Sequence, residues 1–127
     1  FYSARSFNGD LSSWDTKSAT TMLSMFEDAS SFNRPLTGWD TSSVVNFEGM
    51  FFNAISFNGD LSTWDTSSAA DMSRMFLDAV EFNQDISTWD VSSSTTLYYM
   101  FKGASSFNQD LCSWYDKLAD TTDVRMM

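Results

Sequence analysis

Residues 7–16 read FNGDLSSWDT, and a closely similar segment returns at intervals of 25 positions along the chain. The copies begin at Phe32, Phe57, Phe82 and Phe107, and each of these phenylalanines is followed at once by Asn and later by Trp. No gap is needed to keep this alignment from residue 1 to residue 114. A constant period of this length is typical of repeat proteins, in which each unit buries its apolar side chains against its neighbours.

Some positions of the repeat hold the same large apolar residue in every copy, and we expect them to form ladders in the core. A position that stays apolar while its neighbours change must meet the same surroundings in each repeat, which stacking provides. The two aromatic ladders are Phe7, Phe32, Phe57, Phe82 and Phe107, and Trp14, Trp39, Trp64, Trp89 and Trp114. Alanine stands at residues 4, 29, 54, 79 and 104, which predicts a tight point between neighbouring repeats.

The pattern predicts a repeat solenoid with one coil per repeat, a short parallel β-sheet on one face, and turns or short helical segments on the other. We place the strand at residues 9–12 and their equivalents, since these short segments are bounded by turn-forming residues. The apolar residues at 19, 22, 25, 26 and 29 have the spacing of one face of a helical turn. They fit successive inward positions of an irregular coil equally well.

The whole chain, residues 1–127, is predicted to be a single solenoid of five repeats. The last repeat, residues 115–127, is irregular and fits the pattern after a two-residue insertion, which aligns Val124 with Met22 and Met127 with the Met25 column. Solenoids normally end in capping repeats with a polar outer face, and neither end of this chain resembles one. We therefore expect either a stretch of a longer array or copies that stack end to end as a filament.

Composition argues against several classes of function. The net charge is −10 and the seven Lys and Arg residues are scattered, so nucleic acid, which needs clustered basic residues, is not an expected partner. No apolar run approaches the ~20 residues of a membrane span, so we expect no membrane insertion by this segment. The chain has no histidine, which removes the usual nucleophilic triads and the commonest general base. We expect no enzyme, no catalytic residue and no cofactor, and Cys112 is interpreted as a small residue in a Ser/Thr position.

Two columns of aspartate run along the repeats. One holds Asp15, Asp40, Asp65 and Asp90, and the other holds Asp10, Asp60, Asp85 and Asp110. Stacked carboxylates repel by about 1 kcal/mol at about 4 Å in water, so each needs a favourable partner. We expect each to accept backbone N–H groups at a turn. The alternative is a calcium ion, which takes six to eight oxygen ligands.

Further columns of the repeat leave alternative functions open. Exposed rings in the Trp column would form a platform for carbohydrate, although a core role is favoured. The Ser/Thr columns would suit an ordered-water or ice-binding array, but they mix Ser with Thr and Val91 interrupts one of them. Their members are Thr16, Thr41 and Thr66, and Ser12, Thr37, Ser62 and Ser87.

The motif at residues 61–85 is LSTWDTSSAADMSRMFLDAVEFNQD, and it resembles the repeat of the BspA-like leucine-rich-repeat surface proteins, in their mycoplasma-lipoprotein subtype. The resemblance covers residues 1–114. It implies a leucine-rich-repeat-like solenoid, an extracellular or cell-surface location, and adhesion to host or matrix proteins. It brings no functional residue with it.

These observations predict a non-enzymatic extracellular structural or adhesive repeat protein, with end-to-end assembly into a filament as one form of that role. The expected partners are protein or carbohydrate at a cell surface, or other copies of the chain. The alternative is a cell-surface binding module for a carbohydrate or a protein ligand. A filament needs complementary exposed ends, whereas a binding module needs an exposed apolar or aromatic patch on a lateral face.

Overall fold

A computed structural model describes residues 1–125 of the chain. Successive repeats lie directly against each other, because hydrogen bonds join residues 24–28 positions apart throughout this range. Each repeat therefore contacts the repeat before it and the repeat after it. The interior between them holds the apolar columns of the sequence, and most of the polar columns face outward.

The predicted fold class, a leucine-rich-repeat-like solenoid with a parallel sheet, is wrong. Residues 1–125 contain one short helix, α1 (Cys112–Tyr115), and no strand. The β-type pairing in that range is a row of isolated parallel bridges, Thr21–Asn46, Asn46–Asp71, Asp71–Thr96 and Thr96–Asp123. Residues 9–12, where the strand was expected, are irregular, and one bridged residue per repeat does not make a sheet.

Tight turns beside the bridged residue explain why no sheet forms. Ser24 and Asp28 have left-handed backbone with φ of 51° and 58°, and the equivalent Arg74 and Asp78 repeat this conformation. Both a parallel strand and an α-helix need a negative φ at every residue, so left-handed residues at this spacing interrupt both. The helical interpretation of residues 19–29 therefore fails as well. The alternative, successive inward positions of an irregular coil, is what the structure has.

The turn at residues 22–28 satisfies its backbone without a sheet. Alternate N–H groups, those of Met22, Ser24, Phe26 and Asp28, donate to carbonyl oxygens of the next repeat at 2.8, 2.9, 2.8 and 2.9 Å. The same four bonds recur one repeat later. Buried backbone groups must find partners, and here the next repeat supplies them at fixed positions.

Aromatic rings fill the interior. Phe32 stacks on Phe57 with ring centroids 5.8 Å apart, and Phe57 stacks on Phe82 at 6.1 Å. Phe76 lies 3.7 Å from Phe82 within one repeat, so two stacked columns of rings run side by side. Each such pair adds about 0.5–1.5 kcal/mol to the burial of the rings. The core therefore favours a register that keeps each ring opposite its own kind.

The Trp ladder belongs to the core and offers no carbohydrate platform. Its members after Trp14 are at most 5 % exposed, whereas Trp14 is 45 % exposed. The indole N–H of Trp64 donates to the carbonyl oxygen of Leu36 at 3.0 Å, and two other members make the equivalent bond. The buried indole nitrogen of Trp89 has no such partner among residues 1–125.

The asparagine after each ladder Phe forms a ladder of its own. The side-chain Oδ1 of each accepts the backbone N–H of the next, from Asn8 to Asn33 at 3.0 Å and then at 2.9 Å to Asn58, Asn83 and Asn108. Each side chain supplies an acceptor that a β-sheet would have supplied from its backbone. This bond gives the invariance of Asn at this position a physical reason.

The last interval of the stack is longer than the others. The bridge from Thr96 reaches Asp123, two positions further along the chain than the constant spacing of the earlier bridges. Val124 then takes the position of Met22, and it is 42 % exposed. The alignment expected for Met127 lies outside the described residues.

The Asn ladder predicts an asymmetry between two substitutions. Asn58→Ala removes the acceptor for both Asn83 N–H and the Gln84 side-chain amide, so it should lower the free energy of unfolding by about 1–3 kcal/mol. Asn108→Ala is the matched control, since Asn108 Oδ1 accepts no hydrogen bond among residues 1–125, and it should change stability by less than about 0.5 kcal/mol. Urea denaturation followed by Trp fluorescence measures both. Equal losses would contradict the ladder.

Candidate functional site

The aspartate columns lie at turns and act as hydrogen-bond acceptors. Each side chain accepts the backbone N–H two residues on, at 3.3, 3.1, 3.0 and 3.0 Å for Asp15, Asp40, Asp65 and Asp90. The second column does the same at 2.9, 2.8, 3.0 and 2.8 Å for Asp10, Asp60, Asp85 and Asp110. These are Asx turns, so the predicted turn role is confirmed.

Hydrogen bonding outweighs repulsion between the stacked carboxylates. The hydroxyl and N–H of Ser67 hold the pKa of Asp65 below its ordinary value of 3.8, although the charges of Asp40 and Asp90 act in the opposite direction. The pKa values of five further column members are lowered by the same kind of bond. Across residues 1–125, no group of three or more carboxylates or thiols is placed to hold a metal ion.

The threonine after each of these aspartates is buried and occupied. The hydroxyls of Thr16, Thr41 and Thr66 each donate to the carbonyl oxygen of the aspartate in the next repeat at 2.9 Å. Hydroxyls that face the neighbouring repeat cannot order water on the surface. The column of Thr16, Thr41 and Thr66 therefore presents no hydroxyl array to water.

Acid should destabilise the stack despite its net negative charge. The folded-state pKa values of six column members lie below 3.8, namely those of Asp10, Asp40, Asp65, Asp85, Asp90 and Asp110. That of Asp123 falls to about 2 because of Arg125. The unfolded chain therefore binds more protons between those values, so stability that is full above about pH 4 is lost as the pH falls towards 2. We expect the Tm to be nearly constant from pH 7 to 5 and to fall below pH 4.

Differential scanning calorimetry measures this, with Asp123→Asn as the matched variant. It keeps an acceptor at the same position and cannot titrate, so its Tm should fall less between pH 4 and 2. A Tm that rises in that range would show that relief of repulsion between the acids dominates.

Cys112 offers no reactive thiol. It is exposed, and its hydrogen bond to Asp110 and the charge of that carboxylate raise the pKa of the thiol. Reactive cysteines need a lowered pKa and a positive environment. The interpretation of Cys112 as a small residue in a Ser/Thr position remains the one the geometry favours.

Three positions of the repeat change from copy to copy and lie together on one lateral face, which we call the variable face. In the first of its four rows they are Leu23, Ser24 and Glu27. The later rows are Glu48, Gly49 and Phe52, then Ser73, Arg74 and Leu77, then Tyr98, Tyr99 and Lys102. A groove of about 270 Å³ runs across the first three rows, and every residue lining it belongs to these positions.

The backbone at Gly49 helps to form the groove. Its φ is 59°, and a Cβ built there would lie 3.4 Å from the Ser24 hydroxyl. A side chain at this position would therefore fill the space between the rows. Phe52 and Leu77, both half-buried, form the apolar part of the lining.

Charge is segregated along the variable face. The acids Glu27 and Glu48 stand in the first two rows, and the bases Arg74 and Lys102 stand in the last two. Where the halves meet, Arg74 forms an ion pair with Glu48 at 3.2 Å. One end of the face is therefore acidic and the other end basic, with apolar side chains between.

Two tyrosines are surrounded by cations at the basic end. The rings of Tyr98 and Tyr99 lie 3.9 Å apart, and Lys102 Nζ lies 4.3 Å from the centre of the Tyr99 ring. The guanidinium carbons of Arg74 and Arg125 lie 6.0 and 5.7 Å from the Tyr98 ring. Cation–π contacts of this kind hold charged Lys and Arg side chains against half-buried rings.

The predicted ladder residues lie apart from this face. The Phe and Trp ladders fill the core, with Phe7 and Phe107 half-buried in the outer repeats, and the aspartates sit at their turns. The variable face was missed in the sequence because the predictions followed the positions that stay constant. The signal was present in the positions that differ between repeats.

The geometry defines a repeat protein of stacked irregular turns with an aromatic core and one lateral face that differs from repeat to repeat. A family model described as "Mycoplasma protein of unknown function, DUF285" matches residues 1–69 and residues 35–127, and the chain belongs to this family. No curated protein and no solved structure matches it. Within the described residues no helix is long and apolar enough to cross a bilayer.

Proposed function

We propose that this protein is a non-enzymatic structural or adhesive protein, located outside the cell or on its surface, that binds partners through the variable face. The observation that supports this most directly is the division between constant positions of the repeat, which build the core, and three variable positions, which lie together around one groove. Repeat proteins commonly bind along such extended lateral surfaces.

The same division supports a non-enzymatic role. The chain has no histidine, and its recurring acids are engaged as turn acceptors instead of being paired in a cleft. The extracellular location is proposed from the resemblance of the 61–85 motif to the BspA-like surface proteins. Nucleic acid is not proposed as a partner, because only three basic residues gather near the variable face and they stand among acids.

A cell-surface binding module for a carbohydrate or protein ligand is the second candidate function. The cluster of Tyr98, Tyr99, Arg74 and Lys102 favours it, because aromatic rings and Arg are enriched where binding energy concentrates. The buried Trp ladder takes no part in it.

Direct binding to a panel of extracellular-matrix proteins and glycans tests the role of the face. Tyr98→Ser should weaken binding of the 127-residue protein about tenfold or more, because it removes an aromatic contact. Val45→Ser is the matched control, since Val45 is 46 % exposed and lies outside the variable face, and it should leave binding within about twofold. Binding to a matrix protein supports adhesion, and binding to a glycan alone favours the second candidate. Absence of any binding would contradict both.

End-to-end assembly is proposed as the structural form of the role. Trp14 is exposed on the first repeat, and the last repeat carries an apolar depression lined by Leu111, Trp114 and Leu118. Each offers apolar surface of the kind that neighbouring repeats cover inside the stack.

Electron microscopy of negatively stained native protein tests this assembly. We expect fibres with a subunit rise of about 24 Å, five times the spacing of about 4.8 Å between hydrogen-bonded chains. Trp14→Asp, which places a charge on the first repeat, should abolish them, and Lys17→Asp nearby should not. Compact monodisperse particles of the wild type would contradict end-to-end assembly.

A further inference from the structure

The variable face is complementary to itself, and we infer that two copies of this chain pair through it, face to face and in antiparallel orientation. The inference rests on the proposed function in one respect, the assignment of partner binding to this face. It adds the identity of the partner, a second copy of the chain.

In such a pair the twofold axis lies in the interface and crosses the stack between the row of Glu48 and the row of Arg74. Each position of the repeat then faces the same position of the other copy, with the order of the rows reversed. A twofold interface uses the same patch on both copies, so each row of the patch must be complementary to the row that faces it in the reversed order.

The column that contains Glu27 is complementary in charge and polarity to the same column of the other copy, whose rows run in the opposite order. In the four rows of the face this position holds Glu27, Phe52, Leu77 and Lys102, and Tyr2 continues the column before the first row. Reversal places Glu27 of one copy opposite Lys102 of the other, and Phe52 opposite Leu77. Each of these contacts occurs twice, so two ion pairs flank an apolar centre.

The column that contains Ser24 is complementary in side-chain size to the same column of the other copy. Ser24 of one copy faces Tyr99 of the other, and Gly49 faces Arg74, so a small residue stands opposite a large one in both cases. The groove at Gly49 supplies the space into which the larger side chains extend. At the third position Leu23, which is 51 % exposed, faces the half-buried Tyr98.

The charges near the axis also alternate across the pair. Within each copy Arg74 and Glu48 form their ion pair with 48 % and 34 % of the side chains exposed. The two ion pairs meet at the axis and form a network of four alternating charges. Networks of this kind are worth more than isolated surface pairs.

Other partners fit the face less well. A polyanion meets Glu27 and Glu48 at one end, and a polycation meets Arg74 and Lys102 at the other. A neutral glycan makes no use of the separation of charge. The face calls for a partner with acidic and basic ends in reversed order, and this chain provides one.

Sedimentation equilibrium tests the pairing, with every protein carrying Trp14→Asp, which blocks end-to-end assembly and leaves the variable face unchanged. We expect a monomer–dimer equilibrium with a Kd on the order of 10–100 µM, since about a dozen residues per copy make a small interface. Glu27→Lys and Lys102→Glu should each weaken dimerisation roughly tenfold or more, because each turns two attractive contacts into repulsive ones. Glu27→Lys also lowers the net negative charge, so a dependence on net charge alone predicts the opposite change.

Mixing the Glu27→Lys and Lys102→Glu variants is the decisive experiment. An equimolar mixture of the two single variants should form a heterodimer about as tight as wild type, and the double variant should dimerise again, since both restore the opposite charges. Glu81→Lys and Lys17→Glu are the matched controls outside the face and should behave as wild type, with circular dichroism confirming that all variants are folded.

A protein that stays monomeric to about 500 µM, a dimer that the face variants leave unchanged, or variants that fail to complement each other would overturn the pairing. A monomeric chain that still binds matrix proteins through Tyr98 would overturn self-pairing alone and leave the proposed function standing.

Discussion

Three successive repeats each donate four N–H groups, from alternate residues of one tight turn, to four carbonyl oxygens of the next repeat, and the rest of the structure depends on these bonds. The bonds from Met22, Ser24, Phe26 and Asp28 fix the next repeat in position and in register. Rings and side-chain donors can then recur at a constant offset: the phenylalanines stack, and the indole of Trp64 reaches the carbonyl oxygen of Leu36. A one-residue slip would move every ring and every donor at once, which explains why the period of the repeat is constant from residue 1 to residue 114.

The repeat, the core columns and the turn aspartates could be predicted from the sequence, because each rests on a residue type that has few other uses. Phe, Trp and Met at a constant spacing must be buried together, and aspartate is a strong turn former because its side chain accepts the backbone N–H two residues on. The absence of a sheet could not be predicted. In a sequence, glycine is the usual indication of a left-handed backbone conformation. Here Ser24, Asp28, Arg74 and Tyr99 adopt this conformation, and glycine indicates it only at Gly49 and Gly103. The hydrogen bonds to the next repeat hold these residues in a conformation that their own side chains do not favour.

The variable face could not be predicted from the sequence for a related reason. Constant columns identify what the stack needs, and they say nothing of what the stack presents to a partner. The position of Glu27 holds an acid, Phe, Leu and a base in successive repeats, which resembles random drift when the columns are compared one by one. Only the structure places this position beside those of Leu23 and Ser24 around one groove, where the differences between rows become a pattern of charge and size.

The pattern on this face also qualifies what the net charge of the chain means for association. A charge of −10 opposes the approach of two copies, but repulsion between exposed charges decays over about 8 Å at physiological ionic strength. The four rows of the variable face carry two acids, Glu27 and Glu48, and two bases, Arg74 and Lys102. The adjoining Arg125 forms an ion pair with Asp123, so the face is close to neutral. The aspartate columns that produce most of the excess charge lie at other positions of the repeat, engaged in their own turns. An acidic protein can in this way keep a neutral, ordered contact surface, because the aspartate columns carry the net charge and the columns of the variable face form the contact.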